Sequence, residues 1–317
     1  MKPREARERY VGRFIIGRLL AVIPTLLLVY TLTFVVMHAT PGGPWDNSEK
    51  PLPKAVVEAI RAKYNLDKPL WKQYLYYLWD VLHGDFGPSF TNSSQSASDI
   101  VRNFLPVSIQ LGLVAMLIGI PLGIGLGLLA ALKQNTAADY TAMFVAVIGI
   151  STPSYVTATL LIVVLSLKLH LVPTSGWGGI FSSHIVIPAL ALSFAPAASL
   201  ARYTRSATLE IMRQDYIRTA RAKGLHGRSI VLRHVLKNAL IPIVTVGGLI
   251  FAGIITGSFF VETVVGVPGI GRYFVTAATA RDYPVLMAIT LLFAVIIIMM
   301  NLLVDVAYAF LDPRIRF

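Results

Sequence analysis

Six stretches of this chain are apolar for long enough, or nearly long enough, to cross a membrane, and they constrain the fold more than any other feature. A hydrocarbon core about 30 Å thick needs about 20 apolar residues in a helix that rises about 1.5 Å per residue. These stretches lack the alternation of membrane β-strands, so the sequence predicts an all-α, polytopic protein with six transmembrane helices. The predicted spans are Phe14 to Met37, about Pro106 to Leu132, about Ala138 to Leu167, about His184 to Leu200, about Ala239 to Val265, and Pro284 to Leu311.

Composition agrees with a membrane protein and excludes the ordinary soluble classes. Hydrophobic side chains make up 55% of the 317 residues and charged ones only 14%, whereas a soluble domain has about 25% charged residues. The chain contains no Cys, which excludes a disulfide framework, Fe–S clusters and Cys-bound zinc. A cytosolic enzyme and a disordered regulator are therefore disfavoured.

The N-terminus resembles a signal peptide only superficially. Its basic start, MKPREARERYVGR, precedes an apolar run that reaches Met37. That run is longer than the 7–15 residues typical of a signal h-region, and no A-x-A cleavage site follows it. We therefore expect residues 1–37 to be a cytoplasmic N-terminus and a retained first transmembrane helix.

The positive charges predict the orientation of the helices. Of the 28 Lys and Arg, 18 fall in residues 1–18, the 133–137 turn, the 202–238 loop and the C-terminal tail, which lie on one side of a six-span bundle. Lys and Arg accumulate on the cytoplasmic side, so both termini and the 202–238 loop are expected there. The net charge of +12 is then mostly a topology signal. No basic-aromatic recognition module accompanies it, and we expect no nucleic-acid partner.

Residues 38–105 are expected to form the sizeable extracytoplasmic segment, and 106–317 a five-helix core. The segment opens with the helix-breaking sequence TPGGPW and then predicts two short helices, Lys54 to Tyr64 and Leu70 to Leu82. The second helix is rich in Trp and Tyr, which favour a membrane–water interface. It either lies at the outer surface of the membrane or docks a partner that arrives from outside.

Small residues in the second span predict close helix packing. Gly119, Gly123 and Gly127 recur every fourth residue, and this spacing lets two membrane helices approach closely. Pro121, between them, is a residue at which a membrane helix can kink. In the third span, Ser151, Thr152 and Pro153 either line a path or relieve a kink.

Motifs for covalent chemistry are absent from the sequence. It contains no G-x-x-x-x-G-K-[ST] phosphate loop, no H-E-x-x-H zinc pair and no G-x-S-x-G elbow, and its six His have no ligand spacing. We expect a protein that is not an enzyme and that binds no metal or cofactor itself.

Two acidic residues lie within predicted spans, where a charge is expensive and often functional. Glu262 lies near the outer end of the fifth span, where it either binds the amino end of a peptide or pairs with Arg272 or Arg281. Asp305 lies beside Asn301 in the last span, where interhelical packing or capping is the preferred interpretation.

The 202–238 loop contains a short predicted helix. Leu209, Met212, Tyr216 and Ala220 recur at helical spacing with basic residues on the other faces. Gly224 follows where a helix needs a left-handed terminating residue. A second helix from about Arg228 leads into the fifth span. From the residues alone, this loop either docks another protein or lies on anionic lipid headgroups.

A family resemblance favours the docking interpretation. DYIRTARAKGL followed by RHVLKNALIP resembles the cytoplasmic loop of binding-protein-dependent ABC permeases, specifically the dipeptide/oligopeptide/nickel branch. Arg218-Thr219-Ala220 occupies the place of the family's E-A-A, Gly224 matches its glycine, and Pro242 lies farther on than in the general pattern. Other matches follow the family in order: YNLDKPLWKQYLYYLWDVLHGDFGPSF, GIPLG, RYTRSATLE, ETVVGVPGIG, ARDYP and NLLVDVAYAFLDPR.

The resemblance implies a type I ABC importer permease with a MetI-like fold in the inner or plasma membrane of a prokaryote. Its implied partners are a second homologous permease subunit, two cytoplasmic ATPase subunits that bind ATP and Mg, an extracytoplasmic substrate-binding protein and membrane lipid. The loop would seat in a groove of one ATPase subunit. We call part of this loop the coupling segment; its candidate residues are Asp215, Tyr216, Arg218, Thr219, Ala220, Arg221, Ala222, Lys223, Gly224 and Leu225.

The residues leave other functions open. Within the family, the substrate is a peptide, a nickel chelate or glutathione. Outside it, an ion-coupled secondary transporter acting alone would need paired midplane acids and an inverted repeat, and neither is visible. A membrane-embedded hydrolase is disfavoured because no nucleophile–base motif is present.

Overall fold

The fold is helical throughout the part of the chain that can be described. The computed structural model describes the backbone of residues 3–40, 58, 65–92, 94–255 and 258–311, and their side chains except those of 3–16, 19, 240–242, 245, 255 and 306–311. These residues contain no β-strand, and one isolated antiparallel bridge joins Pro88 to Ser96. The predicted helix Lys54 to Tyr64 and most of the TPGGPW sequence lie outside the described residues.

The helices follow the chain in a simple order. π-Helical turns at Ile162–Lys168 extend the helix that begins at Ser154, and a 3₁₀ turn at Ser183–Ile185 precedes the helix that begins at Val186. A short turn at Gly227–Ser229 and π-helical turns at Ile230–Val235 lead into the helix that begins at Leu236. The helices are α1 (Pro3–Ala39), α2 (Leu70–Leu82), α3 (Ala97–Leu132), α4 (Ala137–Ser151), α5 (Ser154–Leu161), α6 (Val186–Met212), α7 (Asp215–Ala222), α8 (Leu236–Ile255), α9 (Phe259–Val265), α10 (Ile270–Ala280) and α11 (Tyr283–Leu311).

Four helical stretches of the described chain are long and apolar enough to cross a membrane. They are Leu20–Ala39 of α1, all of α3, Ser183–Met212 including α6, and Tyr283–Asp305 of α11. Two bent helix pairs, α4 with α5 and α8 with α9, each supply a further span if each pair is one crossing. The prediction of an all-α polytopic membrane protein is therefore confirmed, with four to six candidate spans.

The third predicted span is not one straight helix. The axes of α4 and of the helix from Ser154 to Lys168 differ by 105°, so the prediction of a single helix from Ala138 to Leu167 is wrong. Thr152 is extended (φ −89°, ψ 120°), as expected of a residue before proline, and Pro153 has no N–H to continue the ladder. Of the two interpretations offered for Ser151 to Pro153, the structure shows the kink.

Two other spans differ from prediction at their ends. Helix α3 begins at Ala97 because Ser96 and Asp99 form a capping box: the Ser96 hydroxyl accepts from the Asp99 N–H at 3.0 Å, and the Asp99 carboxylate accepts from the Ser96 N–H at 3.1 Å. Pro106 lies inside this helix rather than at its start. Helix α6 continues past the predicted end at Leu200 to Met212, so the RYTRSATLE sequence is helical.

Within the part of the chain that the structure describes, helices α3 and α6 share the most extensive helix–helix contact. The glycines of α3 face α6: a β-carbon at Gly119 would lie 3.1 Å from the Ser193 carbonyl oxygen, and one at Gly123 would lie 2.6 Å from that of Ala197. The predicted packing role of these glycines is confirmed. Helix α3 continues through Pro121.

Helix α2 has the bounds that the sequence predicts, and it packs beside α1 and α11. The Tyr30 hydroxyl on α1 donates to the Tyr74 carbonyl at 2.8 Å, and the Thr31 and Tyr74 hydroxyls lie 2.8 Å apart. The opposite face of α2 leaves large apolar side chains exposed, which suits both a membrane interface and a docking surface. The exposed side chains are Leu70, Trp71, Leu75, Tyr76, Trp79 and Leu82.

Candidate functional site

The coupling segment folds as a separate short helix rather than as the continuation of α6. Helix α6 ends at Met212, Gln214 is extended (φ −70°, ψ 146°), and α7 begins at Asp215. The predicted apolar face through Leu209, Met212, Tyr216 and Ala220 is therefore wrong, because the helix breaks between its second and third members. Tyr216 is exposed, and the side chains that α7 buries are Ile217 and Ala220.

Gly224 ends α7 in the manner expected from the sequence. Its φ is +76°, a left-handed conformation that costs a residue with a β-carbon more than it costs glycine. The Gly224 N–H donates to the Arg221 carbonyl at 2.9 Å, and the Leu225 N–H donates to the Ala220 carbonyl at 3.3 Å. These two bonds form a Schellman motif, which satisfies carbonyls at the end of the helix and turns the chain toward α8.

Helix α7 is anchored to the helices on both sides of it. Ile217 is fully buried and Ala220 nearly so, in an apolar cluster with residues from the end of α6 and from the turns that precede α8. The Tyr216 hydroxyl accepts from the Asn238 side-chain amide on α8 at 2.9 Å. Helix α7 is therefore packed against the end of α6 and the turns that precede α8, and is hydrogen-bonded to α8. The other residues of the cluster are Ile211, Met212, Ile230 and Val235.

The rest of the coupling segment is open to a partner. Every residue from Asp215 to Leu225 is exposed except Ile217 and Ala220. Arg218 and Asp215 approach to 3.5 Å, with 73% and 96% of their side chains exposed; a surface pair of this kind contributes little to stability. The segment therefore presents an exposed basic surface on a helix that is itself anchored.

An ion pair that joins α4 to α6 was not predicted from the sequence. Asp139, in the first turn of α4, accepts two hydrogen bonds from the Arg205 guanidinium of α6: Nε to Oδ1 at 2.6 Å and Nη2 to Oδ2 at 2.8 Å. The Asp139 side chain is 2% exposed. The sequence does show an acid at the start of one apolar stretch and an arginine just past another. Because 66 residues separate the two, their spacing does not identify them as partners.

Glu262 is buried rather than open to a substrate. It is 1% exposed; its Oε1 accepts from the Ser108 hydroxyl of α3 at 2.7 Å, and its Oε2 accepts from the backbone N–H of Arg272 at 3.2 Å. Of the two arginines considered as ion-pair partners, Arg272 and Arg281, Arg272 contacts Glu262 through its backbone N–H. A β-carbon at Gly269 would lie 2.5 Å from the Ser108 hydroxyl, so this glycine leaves room for the contact.

Asp305 pairs with a residue of the first helix. Its Oδ2 lies 2.9 Å from Nη2 of Arg18, and the two side chains are 19% and 54% exposed. The contact joins α11 to α1, which corresponds to the interhelical packing alternative. Asn301, one turn earlier on α11, is partly buried.

Asp282, the residue before α11, is a second buried acid that was not predicted from the sequence. Its Oδ2 accepts hydrogen bonds from the Ser89 hydroxyl, from the Thr91 hydroxyl at 2.8 Å and from the Thr91 N–H at 3.1 Å. The contact fastens the chain after α2 to the start of α11. Asp282 therefore has a structural role in the described conformation.

Two family models match the chain and together cover most of it. Residues 123–317 match the model described as binding-protein-dependent transport system inner membrane component. Residues 11–112 match the N-terminal model of the same transport-system membrane components.

Curated relatives match almost the full length. The dipeptide transport system permease protein DppB of Bacillus subtilis (strain 168) is 45% identical over 306 residues, which are 96% of this chain and 98% of that protein. The oligopeptide transport system permease protein OppB of Escherichia coli (strain K12) is 45% identical over 305 residues, 96% of this chain and 99% of that protein.

Solved structures support the fold. A chain of the MetNI methionine ABC transporter, in inward-facing conformations, aligns with a TM-score of 0.56 and 17% identity over 67% of this chain and 96% of that chain. The alignment shows a MetI-like arrangement of helices. With the apolar helices and the family matches, it places the protein in the cell membrane as a multi-pass component. The chain belongs to the family of binding-protein-dependent transport system inner membrane components.

Proposed function

We propose that this chain is one permease subunit of an ATP-driven ABC importer and forms half of a pathway for dipeptides or oligopeptides delivered by an extracytoplasmic binding protein. The observation that carries the proposal is the full-length similarity to permeases of both peptide classes, each at 45% identity. Because the two classes match equally well, the proposal extends to peptides in general and leaves their length open.

The proposed topology has six spans with both termini in the cytoplasm. It counts α4 with α5, and α8 with α9, as one span each. The Lys and Arg distribution supports this orientation, since the more basic side includes the coupling segment. In this arrangement residues 1–37 form the N-terminus and first span, 38–105 the extracytoplasmic segment, and 106–317 the five-helix core.

Helix α7 is the proposed contact for an ATPase subunit. Its support is the combination of an exposed basic surface with a buried, two-sided anchor. The sequence has no phosphate-binding loop, so in this proposal ATP and Mg bind to two separate ATPase subunits and this chain is a transport subunit rather than an enzyme. A second homologous permease completes the pathway.

The proposed mechanism follows from this anchor. Closure of the ATPase subunits around ATP would displace α7, and Ile217, Ala220 and Tyr216 would carry that displacement to α6 and α8. The bundle would then shift between inward-facing and outward-facing arrangements. Such a switch requires that ATP-bound subunits bind one arrangement more tightly than the other.

Co-purification tests the proposed assembly: the chain is affinity-tagged, expressed from its own locus and purified in mild detergent. We expect it to co-purify with two copies of an ATPase, or one copy each of two, and with a second permease. We also expect cells without the chain to lose uptake of labelled peptides but to keep uptake of a nickel chelate and of glutathione. A chain that purifies alone and supports proton- or sodium-driven uptake would contradict the proposal.

A further inference from the structure

The Asp139–Arg205 ion pair has a geometry that fixes the position of one helix on another. Both carboxylate oxygens meet the guanidinium, at 2.6 and 2.8 Å. Oδ2 also accepts the backbone N–H of Asn135 at 3.0 Å. Bidentate arginine–carboxylate bonds are directional, because both groups are planar and their two contacts define one orientation.

The rest of the contact between α4 and α6 lacks such direction. It contains a cluster of small side chains, Ala146, Ala198 and Ala201, with Met143 at its edge. A β-carbon at Gly149 would lie 2.8 Å from the Ala198 methyl group and 3.4 Å from the Phe194 ring, so the helices also approach closely there. Apolar contacts of this kind are non-directional. Among the described residues, the ion pair is therefore the directional contact that holds α4 in register on α6.

The pair also lies at the same end of the bundle as the coupling segment. Arg205 is about two helical turns before the end of α6 at Met212, and α7 begins after two further residues. Asp139 is tied through Asn135 to the turn that joins α3 to α4. Leu132, at the end of α3, lines one cavity with Met212 and Arg221, so this turn and α7 occupy the same end of the bundle.

From this placement we propose that Asp139 and Arg205 are positioning residues that make α4 move with α6 when an ATPase displaces α7. The inference rests on the proposed coupling role of α7. Without the pair, α6 would still follow α7, but α4 and the bent span that it begins would slip on the small-residue surface. ATP would then be hydrolysed with less substrate moved.

The complete transporter, reconstituted in liposomes with its binding protein, tests this role through the number of peptides taken up per ATP hydrolysed. We expect Asp139→Asn to lower this ratio by about fivefold to tenfold, which is the scale of a typical coupling between two sites. Arg205→Lys keeps the charge but loses the bidentate bond, and we expect a smaller decrease. Asp305→Asn, which removes an ion pair between α11 and α1, is the matched control and should leave the ratio unchanged.

A merely structural role gives a different result. If Asp139→Asn reduces only the yield of assembled transporter, and each assembled complex keeps the wild-type ratio, the inference is overturned. If the Asp139→Asn transporter does not assemble, the test passes to Arg205→Lys and Asp139→Glu, which keep both charges. A wild-type number of peptides per ATP in both variants would then overturn the inference, and a lower number would support it. Cross-linking of α7 to the ATPase is measured in parallel: its absence in the wild type would refute the proposed function, whereas its presence with an unchanged ratio would refute this inference alone.

Discussion

Leucine in place of Gly127 is expected to prevent the bundle from assembling. A β-carbon at this position would overlap the Ala201 carbonyl oxygen and lie 2.6 Å from Cβ of Thr204. Because a backbone carbonyl cannot rotate away, α3 and α6 would have to separate along the most extensive helix contact among the described residues. We expect the free energy of unfolding to fall by at least about 3 kcal/mol, the upper end of the usual range for overpacked cores. Thermal unfolding and the monodisperse fraction in detergent measure it.

The control lies on the same helix. A β-carbon at Gly125 would meet no atom of the described residues within 4 Å, and Gly125 is exposed on the bundle surface. Gly125→Leu should therefore be as stable as the wild type, while Gly127→Ala should show a weaker form of the Gly127→Leu defect. Equal stability of Gly125→Leu and Gly127→Leu would contradict the packing that the structure describes.

Valine in place of Gly224 is expected to abolish substrate uptake while leaving the chain inserted in the membrane. No atom of the described residues lies within 4 Å of a β-carbon at this position, so steric overlap is not the cause. The cause is the φ of +76°, which costs an ordinary L-residue roughly 1–2 kcal/mol and a β-branched one more. Relief of this strain would break the Schellman bonds and turn the end of α7 away from its partner. Peptide uptake and ATPase co-purification measure the effect.

Two variants separate backbone strain from the loss of a glycine. Gly224→Asn should keep most activity, because asparagine tolerates the left-handed region. Gly227→Val should also be mild, since Gly227 has no positive φ and a β-carbon there meets nothing within 4 Å among the described residues. Wild-type uptake by Gly224→Val would show that the end of α7 does not need this conformation.

The features that the sequence predicted well are local ones. Spans follow from apolar length, because lipid requires each helix to satisfy its own backbone. The bounds of α2 and the left-handed Gly224 follow from signals within a few residues of each other. The small-residue spacing of α3 predicted close packing, although it could not identify α6 as the partner helix.

The features that sequence reasoning missed depend on contacts between distant residues. The break after Met212 has no Pro or Gly at the site; α7 instead turns Ile217 toward Ile230 and Val235. Glu262 accepts a hydrogen bond from Ser108, 154 residues away, a partner that no local sequence spacing identifies. Pro153 was visible, but a proline within a span is compatible with a slight kink as well as with the 105° bend observed.

The central claim is that α7 is held by an ATPase at the cytoplasmic face, and one cross-link tests it directly. The chain contains no Cys, so Thr219→Cys places a single thiol on the exposed surface of α7. In inside-out vesicles that contain the whole transporter, a thiol-directed photo-cross-linker at this position should join the chain to an ATPase subunit. The same reagent at Ser94→Cys, in the predicted extracytoplasmic segment, should not. If an impermeant thiol reagent labels position 219 from outside intact cells, or if the cross-linker there captures only lipid, the claim is wrong.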